Sequence, residues 1–261
     1  LQFLWRFRLV EGGLVEEMIQ FPNGWSARLI RVSSETSIPC LLAALDPESF
    51  RALVVLSGGA GGMSHEEMKS VRPLLVDGLA QLATQERIAI LDGGTNSGVM
   101  ALLGEGVAHH GLTAPVIGVC PAAAVTWPGN PNPRAVAELE PHHSHFVLTP
   151  GERFGAETKF LYALADALGE RVPSLTLVVN GGRVTLEEVL HSAHQGRPIV
   201  VLKGSGRAAD VIATAWEKGE SDDPLVDEIL RWGDIALFDV GKGPENLKTF
   251  IRRKLWEECN G

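Results

Sequence analysis

The sequence is short of cysteine, of basic charge and of long apolar runs, and each shortage removes a class of protein. Its three cysteines, Cys40, Cys120 and Cys259, are odd in number and far apart. That excludes a disulfide framework and fits the reduced thiols of a cytoplasmic protein. Lysine and arginine number 23 against 32 aspartates and glutamates, giving a net charge of −9. No nucleic-acid partner is expected, because holding a phosphate polyanion takes a basic face. A small local anion site stays open, since backbone N–H groups hold a phosphate without net positive charge. No stretch of about 18 apolar residues occurs, so no membrane span is expected. G-x-G-x-x-G and G-x-x-x-x-G-K-[ST] are missing, which disfavours ordinary NAD dehydrogenases and Walker-type ATPases. Neither Ser57 nor Ser64 stands in G-x-S-x-G, so a hydrolase elbow is not indicated.

What remains is globular: 261 residues, 45% apolar and 21% charged, rich in glycine (29) and proline (15). The chain starts at Leu1 rather than Met, as a fragment or processed product does. Six short aliphatic runs stand out: Ala52–Leu56, Ile88–Leu91, Val116–Val119, Leu175–Val179, Ile199–Leu202 and Ile235–Phe238. Nearly continuous apolar runs of this length suit strands covered on both faces. Helix-like segments lie between most of them, such as Glu66–Gln85, where Val71, Leu74, Leu75, Leu79 and Leu82 repeat at helical spacing. The alternation predicts a Rossmann-like, doubly wound α/β fold: a mostly parallel sheet with helices on both faces. One domain is expected, with strands or an arm over residues 1–45, the core over 46–240 and a helix over 241–261. Ser26–Val32 and Ser37–Leu42 read as a hairpin. The apolar first 15 residues can cover a sheet edge or form a subunit contact in a homo-oligomer. Pro121–Pro150, interrupted by prolines and asparagines, reads as a long functional loop with a short strand at His145–Leu148.

Four glycine loops follow predicted strands and precede predicted helices: Gly58–Gly62, Gly93–Thr95, Asn180–Gly182 and Gly204–Arg207. On parallel strands all four stand at one edge, where open α/β sheets bind ligands. Glycine permits φ > 0 in the turn and lets a phosphate oxygen reach the backbone. Hydroxyls at Thr95, Ser97, Thr185 and Ser205 add donors, and Arg207 adds a charge with two-toothed geometry toward phosphate. The expected pose rests a diphosphate on the N–H groups of Gly93–Thr95 and Gly204–Gly206.

The blocks GGAGGM (58–63), DGGTNSGVM (92–100), GVCP (118–121), HSHFVL (143–148), VNGGRVTLEE (179–188) and KGSGRAAD (203–210) resemble the SLOG superfamily. Within it, the sequence is most similar to prokaryotic relatives of the amino-terminal SLOG (LSDAT) domain of melastatin-type TRP channels. The resemblance implies a nucleotide-derivative-binding sensor, its ligand ADP-ribose, an NAD metabolite or a similar phosphorylated nucleotide. It also implies coupling to a membrane or effector module, with the domain itself cytoplasmic. Carried over onto this sequence, the ligand-binding positions are Gly59, Gly61, Gly93, Gly94, Thr95, Gly98, His145, Glu157, Gly181, Gly182, Thr185, Gly204, Ser205, Gly206 and Arg207. The cytokinin-activating phosphoribohydrolases of the superfamily carry P-G-G-x-G-T-x-x-E, for which this chain has Asn180 in place of Pro and Val184 in place of the third Gly. Thr185 and Glu188 are retained, so Glu188 is the catalytic candidate if the protein is an N-glycosidic hydrolase. Its alternative role is a first-turn helix carboxylate.

His142, His143 and His145 carry no accompanying C-x-x-C or H-E-x-x-H, so no metal site is expected there, and no cofactor beyond the nucleotide ligand. His109, His110, His191 and His194 read as surface or capping residues, and Cys120 as a buried structural thiol.

Overall fold

A computed structural model describes residues 8–10, 14–45 and 50–257. Cys259 and most of the apolar amino-terminal segment lie outside them. The strands are β1 (Arg8–Val10), β2 (Leu14–Gln20), β3 (Ser26–Arg31), β4 (Ala52–Gly58), β5 (Ile88–Asp92), β6 (Val116–Pro121), β7 (Val125–Thr126), β8 (Ala137–Glu138), β9 (His145–Thr149), β10 (Ser174–Val179), β11 (Ile199–Lys203) and β12 (Ile235–Asp239). The α-helices are α1 (Ile38–Leu45), α2 (His65–Pro73), α3 (Gln81–Glu86), α4 (Gly98–His110), α5 (Thr158–Gly169), α6 (Arg183–His194), α7 (Arg207–Lys218), α8 (Pro224–Trp232) and α9 (Gly243–Trp256).

Ten strands form one sheet in the order β1-β2-β3-β9-β6-β5-β4-β10-β11-β12. Every pairing from β3 to β12 is parallel; the β1–β2 and β2–β3 pairings at one edge are antiparallel, so β2 alone runs against the rest of the sheet. The six aliphatic runs are the cores of β4, β5, β6, β10, β11 and β12, and each residue of β4 from Ala52 to Ser57 is buried. Alternate residues of a strand face opposite layers. Ala52, Val54 and Leu56 pack with the helical segments 65–86, α4 and α9. Leu53 and Val55 pack with α1 and α5, and Val178 and Val201 with α6, α7 and α8 on that same second face.

Two local expectations are corrected. The second arm of the expected hairpin is the helix α1: Ile38, Leu41, Leu42 and Leu45 repeat at helical spacing, and Leu41 and Leu45 are fully buried against β3 and α5. The predicted continuous helix Glu66–Gln85 is α2 and α3 joined by a π-helical stretch, Leu74–Ala80, that follows Pro73. In that stretch every side chain except Asp77 is buried. Within the long loop, β7 and β8 pair with each other, and isolated bridges tie Thr95 to Leu139 and Trp127 to Asn130.

The strand order reverses beside β4. The chain runs β4, β5, β6 and β9 to one side, then returns to β10 on β4's other flank and continues outward. Loops leaving the carboxyl ends of β4 and β10 therefore diverge to opposite faces and open a crevice between them.

Candidate functional site

A cavity of about 290 Å³ occupies this crevice. Its walls come from the loop after β4 (Gly58–Gly61), the loop after β5 (Gly93, Thr95), Met100, Phe154, Glu157, the first turns of α6 (Gly182–Thr185, Glu188) and Arg207. Nine residues singled out from sequence thus meet at one place: Gly59, Gly61, Gly93, Thr95, Glu157, Gly182, Thr185, Glu188 and Arg207.

Two cations line the cavity wall, Arg183 and Arg207; Arg183 is paired with Asp223 at 3.0 Å, which leaves Arg207 as the cation without a carboxylate hydrogen bond among the described residues. Arg207 is exposed, begins α7 with a left-handed φ of 50°, and donates from Nη1 to the Gly61 carbonyl at 3.1 Å. A Cβ on Gly182 would lie 3.1 Å from Arg207 Nη2, so the bare backbone there makes room for the guanidinium. Thr185 lines the wall and accepts from the Gly182 N–H at 3.3 Å. The amino end of α6 thus faces the same space as Arg207, adding the positive end of a helix dipole to its charge.

Two carboxyls give the interior the opposite character. Glu188 accepts a hydrogen bond from the Ser57 hydroxyl at the end of β4. Burial raises its pKa to about 7; the Ser57 bond opposes this, and the charges of Glu157 and Asp92 reinforce it. Glu157 is itself raised by burial, although the Gly155 N–H donates to its Oε2 at 2.7 Å. Thr95 contributes a buried hydroxyl with no partner among the described residues. Cys120 is buried, and burial pushes its thiol pKa well up, as suits a structural thiol.

The remaining positions are placed elsewhere, each for a visible reason. Ser205 is fully buried; its hydroxyl donates to the Leu202 carbonyl at 2.6 Å and accepts the Asn180 N–H at 2.8 Å. The N–H groups of Gly204 and Gly206 donate to the carboxylate of Asp210 at 2.6 and 3.1 Å. The expected diphosphate cradle at 204–206 is thus already occupied by a carboxylate of the following helix. Gly94 donates to Asp92 Oδ1, and a Cβ on it would come within 2.7 Å of the Gly118 Cα. Gly98 lets α4 approach the loop after β4, since a Cβ would sit 1.9 Å from the Gly59 carbonyl. Gly181 passes behind Thr185, whose side chain would meet a Cβ at 2.4 Å. His145 begins β9 and so stands at the amino edge of the sheet, opposite the glycine loops. It lines a different cavity with Arg28, and burial together with the Arg28 charge lowers its pKa to about 4.

Sequence reading missed two groups that hold the site together. Asn180 is buried and ties its own loop to α2 and to the loop after β11: its Nδ2 donates to Glu67 Oε1 at 3.1 Å and to the Ser205 carbonyl at 2.7 Å, and its Oδ1 accepts from Gly181 N–H at 2.8 Å. The signal in the sequence is an asparagine directly before two glycines, because asparagine tolerates the left-handed region, here a φ of 57°, better than most side chains. Behind Gly93–Thr95, His143 is wholly buried between Asp92 Oδ1 and Glu140 Oε2, each at 2.8 Å. Burial pulls its pKa down, but the two carboxylates more than offset this and hold it at about 10. Glu140 fits because Gly104 has no Cβ, which would lie 2.0 Å from its carboxylate.

Among known proteins, the family model described as SLOG in TRPM, prokaryote, matches residues 51–249. Transient receptor potential cation channel subfamily M member 7 of Homo sapiens is 27% identical over 248 residues, covering 80% of this chain and 13% of that protein. A subfamily M member-like 2 protein of Nematostella vectensis is 29% identical over 253 residues, covering 78% of this chain and 16% of that one. This chain therefore spans well under a fifth of the length of these curated relatives. The X-ray structure of TM1055, a structural genomics target, superposes with a TM-score of 0.51 at 20% identity, covering 77% of this chain and 99% of that one, and shares the fold. The sheet, the crevice and the matched sequence agree: the chain belongs to the SLOG family related to the amino-terminal region of TRPM channels.

Proposed function

We propose that this domain binds a phosphorylated nucleoside derivative, of the AMP or ADP-ribose kind, in the cavity at the strand-order reversal. The reading rests above all on one observation: a guanidinium and a helix amino end face the same small cavity as two carboxyls and an unpartnered hydroxyl. A phosphate suits the Arg207 and α6 side, where charge and dipole act together. Sugar hydroxyls suit Glu157 and Glu188, whose carboxylates are acceptors that a phosphate would avoid, and Thr95, whose hydroxyl both donates and accepts. At about 290 Å³ the cavity lies at the lower end of the roughly 300–1,000 Å³ range for small-molecule sites. A nucleoside phosphate matches that scale, and a dinucleotide would extend out past Arg207. Calorimetric titration with AMP and ADP-ribose tests this: Arg207→Ala is expected to weaken binding roughly tenfold or more at unchanged fold. Equal affinity in the two proteins overturns the reading.

A second reading is carried by Glu188, whose pKa of about 7 keeps both protonation states populated at neutral pH. Such a carboxyl can hand a proton to a departing base or, ionised, face positive charge at the anomeric carbon. Water would then complete hydrolysis of the bond between the anomeric carbon and the base nitrogen. Incubation with AMP, NAD and ADP-ribose, followed by chromatography for free base, separates the two readings. Turnover lost in Glu188→Gln favours the enzyme, and binding without turnover favours the sensor.

A further inference from the structure

We propose that Asp77, His109 and His110 form a binding site for a divalent transition ion of the zinc class. It lies at the opposite end of α4 from the cavity and is independent of the nucleotide reading. At 1.5 Å per residue, the 13 residues of α4 carry the chain about 18 Å from the glycine loops to this point.

Close packing of two helical segments brings the three donors together. A Cβ on Gly106 of α4 would lie 2.5 Å from the Ala80 Cβ and 3.0 Å from the Val76 Cα, so α4 rests directly on the π-helical stretch. Asp77 follows Val76 and is the residue of that stretch whose side chain is left partly exposed. π-helical turns often accompany functional positions because they redirect one side chain out of the regular register.

The donor atoms of Asp77, His109 and His110 all lie within 4.8 Å of one another. His110 Nε2 and Asp77 Oδ1 are 3.5 Å apart, and the two imidazole rings are 5.1 Å apart between centroids. Metal–ligand bonds of about 2.0–2.2 Å at tetrahedral angles separate neighbouring ligand atoms by about 3.4 Å, close to the Asp77–His110 spacing. His109 is exposed and can rotate through the remaining distance.

A second observation points to the same place. His110 Nε2 is buried and makes no hydrogen bond among the described residues, although a carboxylate oxygen lies just beyond bonding geometry. A cation between them satisfies both atoms. The last turn of α4 adds the negative end of its dipole. The nearby Arg72 does not compete for Asp77, because its guanidinium is held by Glu105. Two imidazoles and one carboxylate select zinc, cobalt or nickel over magnesium and calcium, which prefer all-oxygen shells.

The experiment is titration of the tag-free protein with ZnCl2, with MgCl2 as the control, read by calorimetry and by the visible spectrum of Co²⁺ in place of zinc. One zinc per chain at micromolar affinity is expected, with no heat from magnesium. Asp77→Asn and His109→Ala are each expected to weaken zinc binding roughly tenfold or more. Both residues are partly or fully exposed, so folding survives, and circular dichroism confirms it. His142→Ala and Cys40→Ser are expected to leave the titration unchanged. Absence of zinc binding in the wild type, or equal binding in Asp77→Asn and His109→Ala, overturns the proposal.

Discussion

Arg207 holds a left-handed backbone conformation that costs a bulky side chain about 1–2 kcal/mol relative to a helical one. Its side chain does nothing for the core, being exposed and bonded to a single carbonyl. Arg207→Gly is therefore expected to leave stability within about 1 kcal/mol of wild type in urea denaturation while removing nucleotide affinity. Glu188 carries a pH signature. Its folded pKa of about 7 lies above the ordinary value of 4.5, so between these pH values the folded state holds a proton that the unfolded state has lost. Stability falls across that window, and above pH 7 the full cost stands, up to about 3 kcal/mol. Glu188→Gln removes it, so the variant's denaturation midpoint should rise relative to wild type on going from pH 5 to pH 8. His143 changes stability in the same sense with pH but over a higher window, and here it is a favourable interaction that is lost rather than a burial cost that is incurred. Its pKa is raised from 6.5 to about 10, so its contribution is complete below pH 6.5 and fades as pH climbs through 10. His143→Ala strands two buried carboxylates and should cost about 3–5 kcal/mol in chemical denaturation at pH 7.

At the scale of elements, the approach of α4 to the loop after β4 depends on Gly98, which combines a φ of +53° with a carbonyl 1.9 Å from where a Cβ would stand. Gly98→Ala should destabilise the fold by about 2–4 kcal/mol and enlarge or distort the cavity, visible as a lowered melting temperature and weakened nucleotide binding together. Much of this architecture was readable from residues. Continuous aliphatic runs such as Leu53–Leu56 announce strands buried on both faces, and glycines just after them announce the turns at the carboxyl edge of the sheet. α1 is hard to read because its helical period needs the full span Ile38–Leu45, and the apolar stretch ending at Leu42 is equally compatible with a strand. The site was legible as a neighbourhood but not atom by atom. A glycine flanking a ligand and a glycine donating to Asp210 have the same letter, and only the position of the carboxylate one helical turn later separates them. His145 stands at the far edge because a motif fixes order along the chain, whereas strand direction decides which edge a residue reaches.

For the molecule as a whole, a net charge of −9 surrounds a site read as anion-binding. Long-range repulsion then opposes the approach of a nucleotide, and salt screens that repulsion over about 8–10 Å at ordinary ionic strength. Stopped-flow association rates for AMP are expected to rise a few-fold between low and physiological salt, the reverse of a steered encounter. Among the described residues, no helix is long and apolar enough to cross a membrane. The crevice itself has a lasting property. Because it arises where neighbouring strands hand the chain to opposite sides, its existence is written in connectivity and not in any rotamer. Such a receptacle can outlive wholesale exchange of the groups that furnish it, so evolution is free to retune what it recognises without rebuilding the vessel.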